Sequence, residues 1–225
     1  MSVDSELIKN KNKNKLYKLD LYVLKPESSK NRVNNWLLKL IDKVYFKDHS
    51  IYAGFSDNNI LNTIDNDLWE KTNKFIPHFV IENGDIKPDN IKLDNIINCP
   101  ILLNKLCFDI NLPDKNKDKN KDKNKYLLQI KSKMQTRKNG CVVICVIDLS
   151  DYKNSDFADL INNLKTGFFN ISEAMDSQRC VCVFYGLNNN SENNNSDDFK
   201  AKLESFKVDL NNNQDLSDLA LYFDL

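Results

Sequence analysis

Glycine is scarce in this chain. Five glycines stand among 225 residues, at positions 54, 84, 140, 167 and 186. A loop that cradles phosphate needs glycine, because backbone N–H groups can wrap an anion only where no Cβ intervenes. No glycine precedes Gly54, so the first third of the chain holds no standard phosphate loop. A γ-phosphate sensor of the form D-x-x-G is missing as well. The residues three places before the five glycines are Ile51, Ile81, Arg137, Leu164 and Val183. The guanine-reading pattern N-K-x-D occurs nowhere.

Other absences narrow the field further. Lys plus Arg and Asp plus Glu both number 32, so the formal net charge is zero. Balanced charge gives no electrostatic pull toward nucleic acid or an anionic membrane. No run approaches the roughly 20 apolar residues of a membrane span. Met1 to Lys15 is polar and Lys-rich, without the apolar core of a secretory signal, and is expected to be a disordered leader. Histidine occurs only at His49 and His78, so a zinc framework has few partners for the six cysteines. Four of these, Cys141, Cys145, Cys180 and Cys182, lie in strongly apolar runs. They read as buried small hydrophobes in a reducing compartment.

What remains is an alternation of apolar patterns. Residues 18–24 (KLDLYVL) read as a strand. Val33, Trp36, Leu37, Leu40, Ile41 and Val44 follow at helical spacing, with Ser28 or Ser29 as cap. Residues 107–112 and 126–130 read as strands. The continuous runs 141–149 (CVVICVIDL) and 179–185 (RCVCVFY) predict strands buried on both faces, central in a mainly parallel sheet. Phe157, Leu160, Ile161 and Leu164 form a helical stripe, and Gly167 suits its end. Phe199, Leu203 and Phe206 suggest another helix, and Leu216, Leu219, Ala220 and Phe223 a short last one. This order predicts one α/β domain over 16–225, with helices on both faces of the sheet. Inserts are expected at 48–106, 114–125 and 188–198. The first reads as an elaboration, with a candidate strand at 50–55, helix at 60–75 and strand at 76–81, then a turn at Asn83-Gly84. The other two are charged or polar low-complexity segments.

In such a sheet, chemistry sits at the carboxyl ends of strands. The turn after the first strand, Lys25 to Arg32, has the length of a phosphate loop but not its residues. Lys25 and Lys30 stand where glycines belong, Asn31 replaces the phosphate-reaching lysine, and Arg32 replaces the magnesium-binding hydroxyl. Gly84-Asp85-Ile86-Lys87-Pro88-Asp89-Asn90 imitates a kinase catalytic loop, but the glycine-rich loop, V-A-I-K strand and D-F-G that a kinase needs are missing. Asp148, at the end of a buried run, is a common catalytic position. With no second carboxylate, His or Cys aligned nearby, it reads as a turn or cap residue.

Several ordered features carry a resemblance. They are the glycine-free turn at 25–32, the strand ending Asn111-Leu112-Pro113 and the apolar strand ending Asp148-Leu149-Ser150. Phe168-Phe169 and the run Val181-Cys182-Val183-Phe184 follow. The set resembles the centromere protein M family of pseudo-GTPases, best over 140–186, and fairly over 18–46. Residues 48–106 are longer here. The resemblance implies a small-GTPase-like sheet with a degenerate nucleotide site, neither enzyme nor cofactor binder. It implies a scaffold subunit of the inner kinetochore, in the nucleus, docking with the H, I and K centromere proteins and contacting neither nucleic acid nor membrane. Phe168 and Phe169 are the candidate partner-binding residues, Phe169 being either a core cap or an exposed anchor. Two rivals are a pseudo-GTPase adaptor of membrane traffic and an enzyme on a Rossmann-like sheet using Asp148 or Asp85.

Overall fold

The computed structural model describes residues 17–26, 28–70, 76–81, 99–105, 128, 130–132, 134–188, 195–211 and 216–223. Its strands are β1 (Tyr17–Val23), β2 (Ser50–Phe55), β3 (His78–Ile81), β4 (Ile101–Lys105), β5 (Cys141–Asp148), β6 (Arg179–Tyr185) and β7 (Leu216–Phe223). Its long helices are α1 (Lys30–Phe46), α2 (Asn58–Glu70), α3 (Phe157–Met175) and α4 (Ser196–Asn211). The seven strands form one sheet in the order β3-β4-β2-β5-β6-β1-β7. Every pairing between neighbours is parallel.

A parallel sheet must be covered on both faces, and the residue alternation shows how. Val142, Ile144 and Val146 of β5 point into one core, with Val181, Val183 and Tyr185 of β6. That core is closed by Val33, Leu37, Ile41 and Val44 of α1 and by Ile60, Leu61, Ile64 and Leu68 of α2. Val143, Cys145 and Ile147 of β5 point the other way, with Cys180, Cys182 and Phe184 of β6. There α3 supplies Phe157, Leu160, Ile161 and Leu164, and α4 supplies Phe199, Leu203 and Phe206. Phe199 stacks edge-on against Phe157 and Phe184, with centroids at 4.8 and 5.1 Å. Each large side chain so buried contributes roughly 1.5–3 kcal/mol.

The runs at 141–149 and 179–185 are therefore interior strands, as their sequence predicts. Cys145, Cys180 and Cys182 are free and buried on one face, and burial holds the Cys182 thiol well above its ordinary range. Ser29 caps α1, accepting from the Arg32 amide at 3.3 Å. The carboxylate of Asp20, 1 % exposed on β1, is held by the Arg179 guanidinium of β6 at 2.7 and 3.1 Å.

Four expectations are corrected. Residues 48–106 are no mere elaboration, because they supply β2, β3 and β4, and β2 pairs directly with β5. Residues 216–223 form a strand, not a helix, pairing with β1 along its length. In 126–130 the described residues, Leu128 and Ile130, are helical rather than extended. Finally, α3 does not stop at Gly167; it runs on to Met175, burying Ile171, Ala174 and Met175. It ends at Asp176, whose φ of 54° is left-handed. The leader 1–15, the strand at 107–112, the insert at 114–125 and most of that at 188–198 lie outside the described residues, as do Gly84 to Asn90, Asp85 included.

Candidate functional site

Ligands of open α/β sheets bind outside the carboxyl ends of the strands, where neighbouring strands send their helices to opposite faces. β2 leads into α2 on one face, and its neighbour β5 leads into α3 on the other. β1 and β6 diverge in the same way, into α1 and α4. The ends of these four strands form the candidate site.

The turn between β2 and α2 is Ser56-Asp57. The Ser56 amide donates to the Val146 carbonyl at 2.9 Å, and the Ser56 hydroxyl accepts from the Asp148 amide at 2.7 Å. This clamps the end of β2 to the end of β5. Asp57 begins α2, its Oδ1 accepting from the Asn59 amide at 2.7 Å. Its Oδ2 receives the Lys30 ammonium at 2.7 Å, so the first residue of α1 is tied to the turn before α2. Across the crevice, Asp148 Oδ1 accepts from the Ser150 amide at 3.0 Å. Gly186, at φ 82°, packs so closely that a Cβ there would lie 2.4 Å from Asp148 Oδ1 and 2.9 Å from the Ser150 nitrogen. Tyr185, the last residue of β6, is 3 % exposed. Its hydroxyl is buried and turned toward both the Asp148 and Asp57 carboxylates, with which it interacts through charge and hydrogen bonding.

The electrostatics follow from this geometry. Burial raises the Tyr185 phenol, and the Asp148 and Asp57 charges raise it further, so it stays protonated at neutral pH. Burial works to raise Asp57 as well, but the Lys30 ammonium and the Asn59 amide outweigh it and hold the carboxyl below its ordinary range. Lys30 is raised, first by its hydrogen bond to Asp57, with Asp148 and Asp151 adding to the attraction. The crevice therefore carries more negative than positive charge. It disfavours a bare polyphosphate and favours a cation. Neither partner of the Lys30–Asp57 pair is tuned toward neutrality, where general acid–base catalysis needs its groups.

Of the residues named for the turn after β1, only Lys30 reaches the crevice. Lys25, Asn31 and Arg32 are exposed, and the Ser28 amide is spent on the Lys25 carbonyl at 3.1 Å. Phe168 and Phe169 fall in the middle of α3, not past a helix end, and their side chains lie outside the described residues. Asp148 does sit at a strand end, and the fold brings Asp57 and Tyr185, distant in sequence, to the same end of the sheet. The sequence did carry a signal for Asp57. An Asp directly before the apolar repeat Ile60, Leu61, Ile64, Leu68 is the mark of a helix start. Among the described residues no group of three or more His, Cys, Asp or Glu is placed to hold a metal, and no helix is long and apolar enough to cross a membrane. No protein-family model matches the chain, and no curated protein is found to match it.

Proposed function

We propose that this chain is a non-catalytic scaffold on a small-GTPase-like sheet with a degenerate nucleotide site, acting at the inner kinetochore beside subunits like the H, I and K centromere proteins. One observation carries the non-catalytic part: the crevice is bridged by its own Lys30–Asp57 ion pair, whose two groups are both shifted away from neutral pH. The surrounding carboxylates of Asp148 and Asp151 would repel a nucleotide's phosphates. The kinetochore part rests on the resemblance over 140–186. Function on this reading lies in protein-binding surfaces, with α3 around Phe168-Phe169 as the first to test.

Two experiments test it. Titration with mant-GTP and magnesium should show no micromolar binding; such binding would end the degenerate-site reading. Affinity purification of the tagged chain with mass spectrometry should recover kinetochore subunits. Recovery of coat or tether proteins instead would move the scaffold to membrane traffic.

One observation favours a second reading, an enzyme on a Rossmann-like sheet. Asp148 has a second carboxylate, Asp57, and a buried phenol, Tyr185, turned toward the same space. Turnover of any substrate that is lost in Asp148→Asn, with the fold intact, would establish it.

A further inference from the structure

We propose that the outer edge of β7 is a docking surface for a second copy of this chain, whose own β7 adds antiparallel and joins two seven-stranded sheets into one. The proposal stands apart from the scaffold reading and needs no other partner.

The two edges of the sheet differ. Among the described residues no strand pairs with the far side of β3 or of β7. β3 is four residues long, and a short edge strand offers little to a newcomer. β7 is eight residues long and keeps unbroken register with β1 from Asp218 to Phe223. Its one register shift falls at the start, between Tyr17 and Lys18 of β1. From Leu216 to Phe223 it holds no Lys or Pro, the residues that most often keep open edges apart. The outer side of β7 is therefore a long row of backbone N–H and C=O groups open to another strand. Side chains flank that row on both faces. Tyr222 is 41 % exposed and stacks on Tyr22 with centroids at 4.6 Å, while Tyr22 leans on Trp36 of α1 at 5.1 Å. On the other face Leu221 and Phe223 pack against the α3–α4 core.

Three features select a copy of the same chain. What the edge lacks is another edge, and every copy carries this one. Antiparallel pairing about a two-fold axis through Ala220 sets residues of one face against residues of the same face. Ala220 then lies opposite Ala220, Leu219 opposite Leu221 and Asp218 opposite Tyr222, so no like charges are opposed along the seam. Finally, the formal net charge is zero, and two copies meet without the long-range repulsion that keeps charged proteins apart.

Sedimentation equilibrium of the full chain over a range of concentrations should show monomers in exchange with dimers. Ala220→Lys sets two ammonium groups against each other at the axis and should weaken the dimer by at least about tenfold. Ala220→Glu should do the same. An equimolar mixture of the two variants should recover the dimer, because opposite charges then face each other. That recovery separates a lost interface from a lost fold, and circular dichroism checks each variant alone. Tyr222→Lys, at a side chain already exposed, is a second variant that should weaken the dimer. Hydrogen exchange supplies the location: β7 amides should exchange more slowly as the wild-type chain is concentrated. Three outcomes would overturn the proposal. They are a wild-type chain still monomeric at roughly 0.1 mM, a dimer whose β7 amides exchange as fast as the monomer's, and folded Ala220→Lys and Tyr222→Lys chains that dimerise as the wild type does. In the first case the edge would be left to an extended segment of another protein.

Discussion

Two strand-to-helix turns meet at the carboxyl edge of this sheet, and they differ in kind. The turn from β1 to α1, Leu24 to Ser29, is long, and it is the one whose length imitates a phosphate loop. It leaves the sixth strand of seven, beside the edge strand β7. The turn from β2 to α2 is only Ser56-Asp57, and it leaves the third strand, beside the central strand β5. Its polar groups are engaged: Ser56 with β5, Asp57 with α2 and with Lys30. Place in the sheet, rather than place in the chain, decides which turn faces the crevice. Lys30 is the one residue of the longer turn's motif that reaches the shorter turn.

The largest expected effect tests how tightly the crevice is built. Gly186→Ala would put a Cβ against Asp148 and the Ser150 backbone at a positive φ, and should cost about 2–4 kcal/mol. Gly140 gives the contrast. It has a similar φ of 78°, but a methyl added there would meet nothing within 4 Å. Gly140→Ala should therefore cost only about 1–2 kcal/mol, from the left-handed backbone alone. Urea unfolding of both variants reads the difference. Equal costs would mean that the close packing around Asp148 carries no weight.

The next pair compares the two helix starts directly. Asp57→Ala removes the 2.7 Å cap on α2 together with the ion pair, and should cost about 1–2 kcal/mol. Ser29→Ala removes a longer bond of 3.3 Å at the start of α1 and should cost about 0.5–1 kcal/mol. Asp57→Asn is the sharper version, because it keeps a capping oxygen and loses only the charge. If Ser29→Ala proved the more damaging, the turn after β1 would be the better anchored of the two.

How much of this could be read from residues alone depends on where each segment's partners lie. β5 and β6 were legible because strands covered on both faces need apolar residues at nearly every position, and 141–149 and 179–185 have them, Asp148 and Arg179 apart. β7 was not. Leu216, Leu219, Ala220 and Phe223 match helical spacing, and only parallel pairing with β1 makes the segment a strand. The helical reading of 157–164 was right but short, since Gly167 is tolerated inside α3 once Ile171, Ala174 and Met175 pack beyond it. The site was the least legible part. Asp57, Asp148 and Tyr185 are far apart in sequence, and only the order β2-β5-β6 brings them together. The candidate strand at 50–55 is β2, but reading 48–106 as an elaboration kept it out of the sheet, and with it the turn that faces the crevice.

The smallest expected effect concerns the residue that joins the two turns. Lys30 is 57 % exposed, so its pair with Asp57 is screened by solvent, and Lys30→Ala should cost no more than about 1 kcal/mol, less at high salt. The pH dependence has a definite sign. The Asp57 carboxyl titrates below its ordinary 3.8 in the folded chain, so its contribution is present above that value and lost as the pH falls through the folded one. Lys30 titrates above its ordinary 10.5, so its contribution is present below that value and lost as the pH rises through the folded one. The cost of Lys30→Ala should therefore be flat between 3.8 and 10.5 and shrink outside that window. Urea unfolding of wild type and variant at pH 3 and pH 7, in low and high salt, measures this. A cost well above 1 kcal/mol that salt does not reduce would mean that Lys30 is bound into the crevice as firmly as Asp57 is. The long turn would then be a full half of the site, and the contrast between the two turns would fall.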